Sequence, residues 1–261
     1  MSRPKLPRAP LVLVVAQVRF SPIEDIDKYI PAIKAKLRTS YPYFDTCHLQ
    51  QITMIDNGVQ LSGIEQWFFT DRLKQTNLVL SKHSFAVNTV NYNTFDEYLP
   101  KVYSAMEEIS TILNWADCAT LEQVSLRYVD WIYPLDGVSS ERMIKDEYLG
   151  GYLDDDGVQL RQVILERKTS LGGVVRTIIY RPNNPQVVLG EFQSIRLNQP
   201  KFTEGTSFII LDMVHSKPTQ GEDFTRDHIL SVLESLHDEV DRLFKQIPSQ
   251  EAHRIWEKEA E

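Results

Sequence analysis

Two apolar, strand-like segments of similar pattern divide the chain into halves. The first, LVLVVAQVRF, covers Leu11–Phe20, and the second, LEQVSLRYVDWIY, covers Leu121–Tyr133. Both alternate side chains as a strand does, and both contain an arginine followed by an aromatic residue, Arg19-Phe20 and Arg127-Tyr128. Because a repeat constrains the architecture more firmly than any single element, we interpret each segment as the first strand of a repeated unit.

Each of these segments is followed by a helical pattern, a run of strand patterns and another helix. In the first half, Ser21-Pro22 predicts the start of a helix, and Thr94-Phe95-Asp96-Glu97 is a capping box that begins a second one. In the second half, residues 140–148 predict a short helical stretch, and the apolar spacing over 225–247 predicts a long helix. The predicted strands are 49–55, 59–70, 77–82 and 84–91 in the first half, and 158–168, 174–181, 186–197 and 207–215 in the second.

These patterns predict an α+β fold made of two pseudo-repeats of β-α-β4-α. Consecutive strands joined by turn residues favour an antiparallel sheet, and long helices with one apolar side favour helices packed on one face of it. We expect the first unit over residues 1–118, the second over 119–248 and a C-terminal helical tail over 249–261. The tandem plan resembles the TATA-box-binding-protein-like fold, a likeness of topology that implies no function.

Composition limits the protein class. With 42% hydrophobic and 25% charged residues the chain has the composition of a soluble globular protein, and no apolar run is long enough to span a membrane. The basic start before Leu11 is better explained by a first strand than by a signal peptide. Cys47 and Cys118 show no partner pattern, which favours free thiols and a cytoplasmic location. The net charge of −8 argues against non-specific DNA binding.

Three blocks of sequence carry a family resemblance. They are PRAPLVLVVAQVRF near the start, SLRYVDWI at the centre and ILSVLESLHDEVDRLFKQIPSQEAHRIWEKE near the end. Together they resemble a sporadically distributed bacterial family of proteins of about this length that has no established activity. The resemblance implies a bacterial cytoplasmic protein, and the patchy distribution of the family is compatible with accessory or defence-related genes. It supplies no catalytic residues.

The sequence contains no local signature of a catalytic or nucleotide-binding site. It lacks the G-x-S-x-G nucleophile elbow and the phosphate-binding loops G-x-x-x-x-G-K-[ST] and G-x-G-x-x-G. His237 and Asp241, with Glu234 one turn earlier, could face one metal ion, but a boundary histidine on a packed helix explains the pattern better. The acidic run 154–157 is better explained by a solvated turn than by a calcium loop. We therefore assign no catalytic residue, no metal site and no cofactor.

The strongest functional signal is a group of arginines in the strands of the second half. Arginine forks bind phosphate and carboxylate groups, so these side chains could form an anion-binding or nucleic-acid-facing surface. The alternative is a solvated sheet face on which they pair with Glu166, Glu191 and Asp212. Strand alternation puts Arg161 and Arg167 on one face, which Arg127 and Arg196 could join. The candidate ligand-binding residues are Arg127, Arg161, Arg167, Arg176, Arg196 and Glu191.

Three hypotheses for function follow. The absence of motifs favours a non-catalytic binding or regulatory protein that engages a protein partner, or a second copy of itself, through a sheet face or edge. The alternative is binding of an anion, a nucleotide or a nucleic acid on the arginine-bearing face. The third hypothesis is a phosphoesterase or nuclease that uses the arginines with carboxylates such as Glu166 and Glu191. The sequence leaves the identity of the partner or ligand open.

Overall fold

A computed structural model of the chain describes residues 6–55, 58–149, 162–181, 195, 206–219, 222 and 224–259. The strand expected over 186–197 and the acidic run 154–157 lie outside these residues, apart from Ile195. Within them, no helix is both long enough and apolar enough to cross a membrane.

The described residues form nine strands and five α-helices. The strands are β1 Leu11–Phe20, β2 Tyr43–Ile55, β3 Gly58–Thr70, β4 Thr76–Ser81, β5 Ser84–Thr89, β6 Leu121–Ile132, β7 Gln162–Lys168, β8 Val174–Tyr180 and β9 Ile209–Pro218. The helices are α1 Ile30–Leu37, α2 Phe95–Ser110, α3 Trp115–Cys118, α4 Arg226–Gln246 and α5 Gln250–Trp256. Short 3-10 turns occur at Ile26–Tyr29, Glu141–Met143 and Asp146–Tyr148, so the helical stretch expected over 140–148 is two such turns.

The nine strands make one open sheet in the order β2-β3-β4-β5-β1-β6-β9-β8-β7. Every neighbouring pair is antiparallel. The central strands β1 and β6 pair with each other, with Val15 opposite Arg127 and Gln17 opposite Ser125. Both halves of the chain therefore contribute to one continuous sheet. The α+β class and the antiparallel pairing are confirmed.

The largest hydrophobic cluster joins alternate residues of the sheet to the helices. Val14 of β1, Leu126 of β6 and Met213 of β9 are buried in it with Leu233 of α4. We call the side of the sheet that carries these residues the helix side, and the opposite side the outer side. A smaller cluster contains the outer-side residues Leu13, Val129, Trp131 and Ile210 together with Ile195 and Phe208.

Two predicted helix starts are confirmed and one is wrong. The side chain of Thr94 accepts a hydrogen bond from the N–H of Glu97 at 3.3 Å, and Thr225 caps α4 in the same way. Ser21 caps no helix, because its hydroxyl accepts a hydrogen bond from the N–H of Thr120 at 2.9 Å. The first helical residue is Ile26, in the 3-10 turn that precedes α1. Ser21 thus connects the end of β1 to the residue before β6.

The two cysteines are free thiols. Cys47 lies in β2 and is half-buried, while Cys118 is the last residue of α3 and is exposed. The prediction of free thiols is confirmed.

Candidate functional site

Two arginines of the predicted surface are held by carboxylates on neighbouring strands. Arg127 donates from Nε and Nη2 to the two carboxylate oxygens of Asp212, at 2.8 and 2.6 Å. Arg176 donates to Glu166 at 2.7 Å, directly across the β8–β7 pair. Both contacts are cross-strand ion pairs of the kind expected if these arginines lie on a solvated sheet face instead of in an anion-binding site. Anion binding by these arginines stays a hypothesis, but each guanidinium already has a protein partner.

Arg167 lies on the other side of the sheet from Arg127 and Arg176. It forms an ion pair with Glu239 of α4 and is therefore on the helix side. Arg127 and Arg176 both lie opposite Val214, on the outer side. This corrects the expectation that Arg127 could share a face with Arg167. The pairing register places their side chains on opposite faces of the sheet. The other candidates lie outside the described residues: Arg161, Glu191 and Arg196.

A cavity of about 620 Å3 lies between the helix side of the sheet and helices α2 and α4. Its apolar wall comes from distant parts of the chain and includes Leu6, Leu11, Leu99, Met213, Val240 and Phe244. The N-terminal part of this wall is fixed by Arg8, whose N–H donates to the carbonyl of Trp256 at 3.1 Å and whose guanidinium binds Asp136 at 2.9 and 3.0 Å. Small-molecule sites in proteins have volumes of roughly 300 to 1,000 Å3, so the cavity is large enough for an organic ligand.

Asp130 of β6 lines the interior of this cavity. The residue is 2% exposed, and its Oδ2 atom has no hydrogen-bond partner in the described part of the chain. Burial raises the pKa of Asp130 well above its usual range, and the carboxylate of Asp212 on the adjacent strand raises it further. Burial therefore favours the protonated carboxylic acid.

The position of Asp130 follows from the strand that carries it. Tyr128 and Asp130 are two residues apart, so both point to the helix side. Strand β6 is paired along both edges, with β1 and β9, which fixes the backbone beneath them. Beside Asp130 the register of β1 shifts between Leu11 and Leu13, so that Leu11 is opposite Asp130. Register shifts of this kind are frequent next to functional sites.

Tyr128 connects the central strand to α4. Its hydroxyl oxygen lies 2.9 Å from Nδ1 of His237 and 3.4 Å from the hydroxyl oxygen of Tyr92. The ring of His237 stacks on Phe95, with centroids 4.1 Å apart and planes inclined by 7°. Burial raises the pKa of Tyr92 to about 12 and raises that of Tyr128 well above its usual range. Both phenols therefore stay protonated and provide hydrogen-bonding groups beside the apolar residues of the wall.

Carboxylates surround the mouth of the cavity. Glu234 and Asp238 of α4 and Asp96 in the first turn of α2 are exposed lining residues, and Asp241 lies one turn further along α4. With Asp130 in the interior, five acidic side chains line the cavity. None of the described residues that line it is lysine or arginine. Acidic groups therefore predominate among the ionisable side chains of the described lining.

The candidate metal ligands on α4 are His237, Asp241 and Glu234. Over the residues that the structure describes, no three or more His, Cys, Asp and Glu side chains are arranged to hold an ion. His237 is instead half-buried between Tyr128 and Phe95. A histidine at the edge of the packed face of a helix is expected to pack in this way.

No protein-family model matches the chain, and no curated protein matches it either. The function is therefore inferred from the site itself.

The pattern of the central strand predicts an architectural role and does not indicate the cavity beside Asp130. A signal was present, because alternation from Val124 through Leu126 and Tyr128 places Asp130 on the same buried side. A carboxyl group at such a position is costly unless something binds it. The cavity itself could not be inferred, since its walls are brought together only by the tertiary fold.

Proposed function

We propose that the protein is a non-catalytic binding protein whose ligand is a small organic molecule in the cavity between the sheet and helices α2 and α4. The observation that supports this most strongly is the buried Oδ2 atom of Asp130, which lacks a partner among the described residues of the cavity wall. Leaving a buried polar atom unpaired costs about 1–3 kcal/mol. A ligand that bonds to Asp130 removes this cost. A cavity of about 620 Å3 is also far larger than one water molecule needs.

The composition of the wall supports the same proposal. Ligand sites typically combine a mostly apolar lining with a few well-placed polar groups that fix the orientation of the ligand. Here Leu99 and Val240 belong to the apolar lining, and Asp130 with the hydroxyls of Tyr92 and Tyr128 provides the polar groups. The polar groups are mostly buried, so their positions are set by packing before any ligand arrives.

Filling the cavity is expected to abolish ligand binding. In Leu99→Trp the larger side chain occupies space that a ligand would use. We expect at least one compound from a panel of small neutral, cationic and anionic organic molecules to raise the melting temperature of the wild type by roughly 5–10 °C at about one hundred times its Kd. The same compound is expected to leave Leu99→Trp unchanged in a thermal-shift assay.

The control for this experiment is Leu73→Trp, the same replacement at an exposed residue that does not line the cavity. That variant is expected to respond to the compound as the wild type does. If no compound stabilises the wild type, or if Leu99→Trp is stabilised equally, the cavity is not the ligand site.

A second candidate function is association with a second copy of the chain through the β7 edge, a specific form of the partner-binding hypothesis. Strand β7 ends the described sheet, and an exposed edge strand can pair with another chain. Ile164 of β7 is 55% exposed and lies opposite Ile178 on the outer side. An apolar pair on the last strand of the described sheet favours a protein contact there.

Placing a charge at this edge is expected to prevent self-association. Ile164→Lys introduces a cation on a strand that would otherwise pair with its symmetry mate, and the dimer Kd is expected to rise about tenfold or more. Sedimentation or light scattering over a concentration series measures the effect, with Leu73→Lys as a control at another exposed aliphatic residue. A wild type that stays monomeric over the whole series would exclude this second function.

We also propose that the two units are pseudo-repeats joined at the β1–β6 pair. Two features support this: β1 and β6 are the first strands of the two units, and they lie side by side and antiparallel in the sheet. A local two-fold axis between two similar units would give this arrangement. Both units would then line the cavity, the first through the N-terminal segment and α2 and the second through β6, β9 and α4.

A further inference from the structure

The lining of the cavity carries information about the charge of its ligand. Glu234 and Asp238 are four residues apart on α4, where two like charges destabilise a helix. Asp241 continues the row and is compensated by Lys245, whose Nζ lies 2.8 Å from its carboxylate. A row of acids at the mouth repels anions and raises the local concentration of cations.

Asp130 adds a buried acidic group to the lining. Asp130 lines the cavity and is almost fully buried, and its Oδ2 atom has no protein partner in the described residues, so its carboxyl group can bond to a ligand atom in the cavity. A protonated amine matches both properties, since it donates hydrogen bonds and supplies the positive charge that a buried carboxylate requires. A carboxylate or phosphate ligand would instead add negative charge to a cavity whose described lining contains no lysine or arginine.

Aromatic side chains near Asp130 suit the same class of ligand. Tyr92 and Tyr128 meet edge to face, with centroids 5.8 Å apart and planes at 89°. Phe95 and His237 form a stacked pair in the same wall. The faces of aromatic rings attract cations, and their bodies pack against apolar groups. The lining therefore has features that suit both the charge and the body of an aromatic or aliphatic amine.

We infer that the cavity selects organic cations, namely protonated amines on an apolar body, with the ammonium group bound to the carboxyl of Asp130. This inference rests on the proposed function, because it assumes that the cavity is a ligand site. Asp130 is the anchor, the acids of α4 attract the cation to the mouth, and the apolar wall holds the rest of the ligand.

Three compounds that share an indole ring and differ in charge test this inference. They are tryptamine, a cation, tryptophol, a neutral analogue, and indole-3-propionate, an anion. We expect tryptamine to bind wild-type protein at least about tenfold more tightly than tryptophol, and the anion to bind most weakly, in titration calorimetry at neutral pH. In Asp130→Asn the affinity for tryptamine is expected to fall to that for tryptophol, while the affinity for tryptophol changes little.

Two further variants complete the design. Asp27→Asn makes the same chemical change at an exposed aspartate of the 3-10 turn before α1 and is expected to behave as wild type. Glu234→Gln alters the exposed rim without touching the interior, and is expected to weaken tryptamine about two- to threefold in low salt. If Asp130→Asn does not fold, the affinities of the wild type and of Glu234→Gln for tryptamine and tryptophol still test whether the cavity selects cations.

The possible results separate this inference from the proposed function. Equal binding of tryptamine and tryptophol, with both blocked by Leu99→Trp, overturns the inference and leaves the cavity as a ligand site. Unchanged selectivity in a folded Asp130→Asn also overturns it, because Asp130 would then not be the anchor. Absence of tryptamine binding up to about 1 mM overturns it as well, and the broader compound panel then decides the proposed function independently.

Discussion

Tyr98→Phe is expected to lower the free energy of unfolding by about 2–4 kcal/mol, although it removes a single oxygen atom. The hydroxyl of Tyr98 donates to the carbonyl of Val87 at 2.6 Å and accepts from the N–H of Ala16 at 2.8 Å. Ala16 and Val87 are paired across β1 and β5, so the hydroxyl from α2 bridges the two strands at this position. Phenylalanine would leave both backbone groups without this partner in a site from which solvent is excluded, since Tyr98 is buried.

Thermal or urea denaturation measures this effect. For a chain of this size the loss corresponds to a fall of roughly 5–10 °C in melting temperature. Tyr103→Phe is the matched control, because it makes the same change on the same helix at a side chain that lies under the guanidinium of Arg226 near the surface. A fall in Tyr98→Phe no larger than that in Tyr103→Phe would show that the bridging hydroxyl contributes no net stability.

Much of the fold could be predicted because its signals are local. Thr94 and Thr225 cap α2 and α4 through side-chain hydrogen bonds to residues three positions later, and Ser249 caps α5 in the same way. Hydrogen bonds of this range are visible in the sequence. Ser21 shows where local reasoning fails, because the hydroxyl is used by Thr120, a residue 99 positions away. A local motif predicts a cap only when no distant partner binds the same oxygen.

The orientation of the arginines could not be predicted for a related reason. Strand alternation orders residues within one strand, but the relation between strands depends on the pairing register. Arg127 and Arg176 share the outer side because both lie opposite Val214, whereas Arg167 points to α4 and Glu239. The sequence therefore shows that arginines are frequent in these strands. It does not show the strand register, which determines which of them share a face.

The candidate site was harder to predict than the sheet, because a cavity is a property of packing between distant segments. Its described lining comes from residues 6–11, 92–99, 128–130, 213 and 234–244, which no periodicity links. The one residue that could have indicated it was Asp130, an acid on the buried side of a central strand. An acidic residue at a position where the strand pattern predicts a buried apolar side chain is therefore a candidate functional residue.

Asp130→Asn is expected to stabilise the unliganded protein at neutral pH, with a gain that increases as the pH rises. Burial, with a contribution from Asp212, raises the pKa of Asp130 well above its usual range in the folded protein. In the unfolded chain an aspartate has a pKa of about 3.9. Between these two pKa values the folded state holds one more proton, so the free energy of unfolding of the wild type falls by up to about 1.4 kcal/mol per pH unit as pH rises. The asparagine variant lacks this titration.

Urea denaturation of both proteins from about pH 5 to about pH 8 measures the difference directly, because the other titrating groups are common to both. The difference is expected to increase with pH through this window and to level off above the folded-state pKa of Asp130. Asp27→Asn controls for the loss of a carboxylate at an exposed position. A constant difference between Asp130→Asn and wild type would mean that Asp130 is ionised in the folded protein.

The same series connects stability to the ligand. An ammonium group bound to Asp130 would lower the pKa of the carboxyl, because an opposite charge a few ångströms away favours the ionised form. At saturating tryptamine, the free energy of unfolding of the wild type is therefore expected to vary with pH almost as that of Asp130→Asn does. Binding of the amine would then release a proton, so that tryptamine affinity rises with pH over the range in which the unliganded protein loses stability.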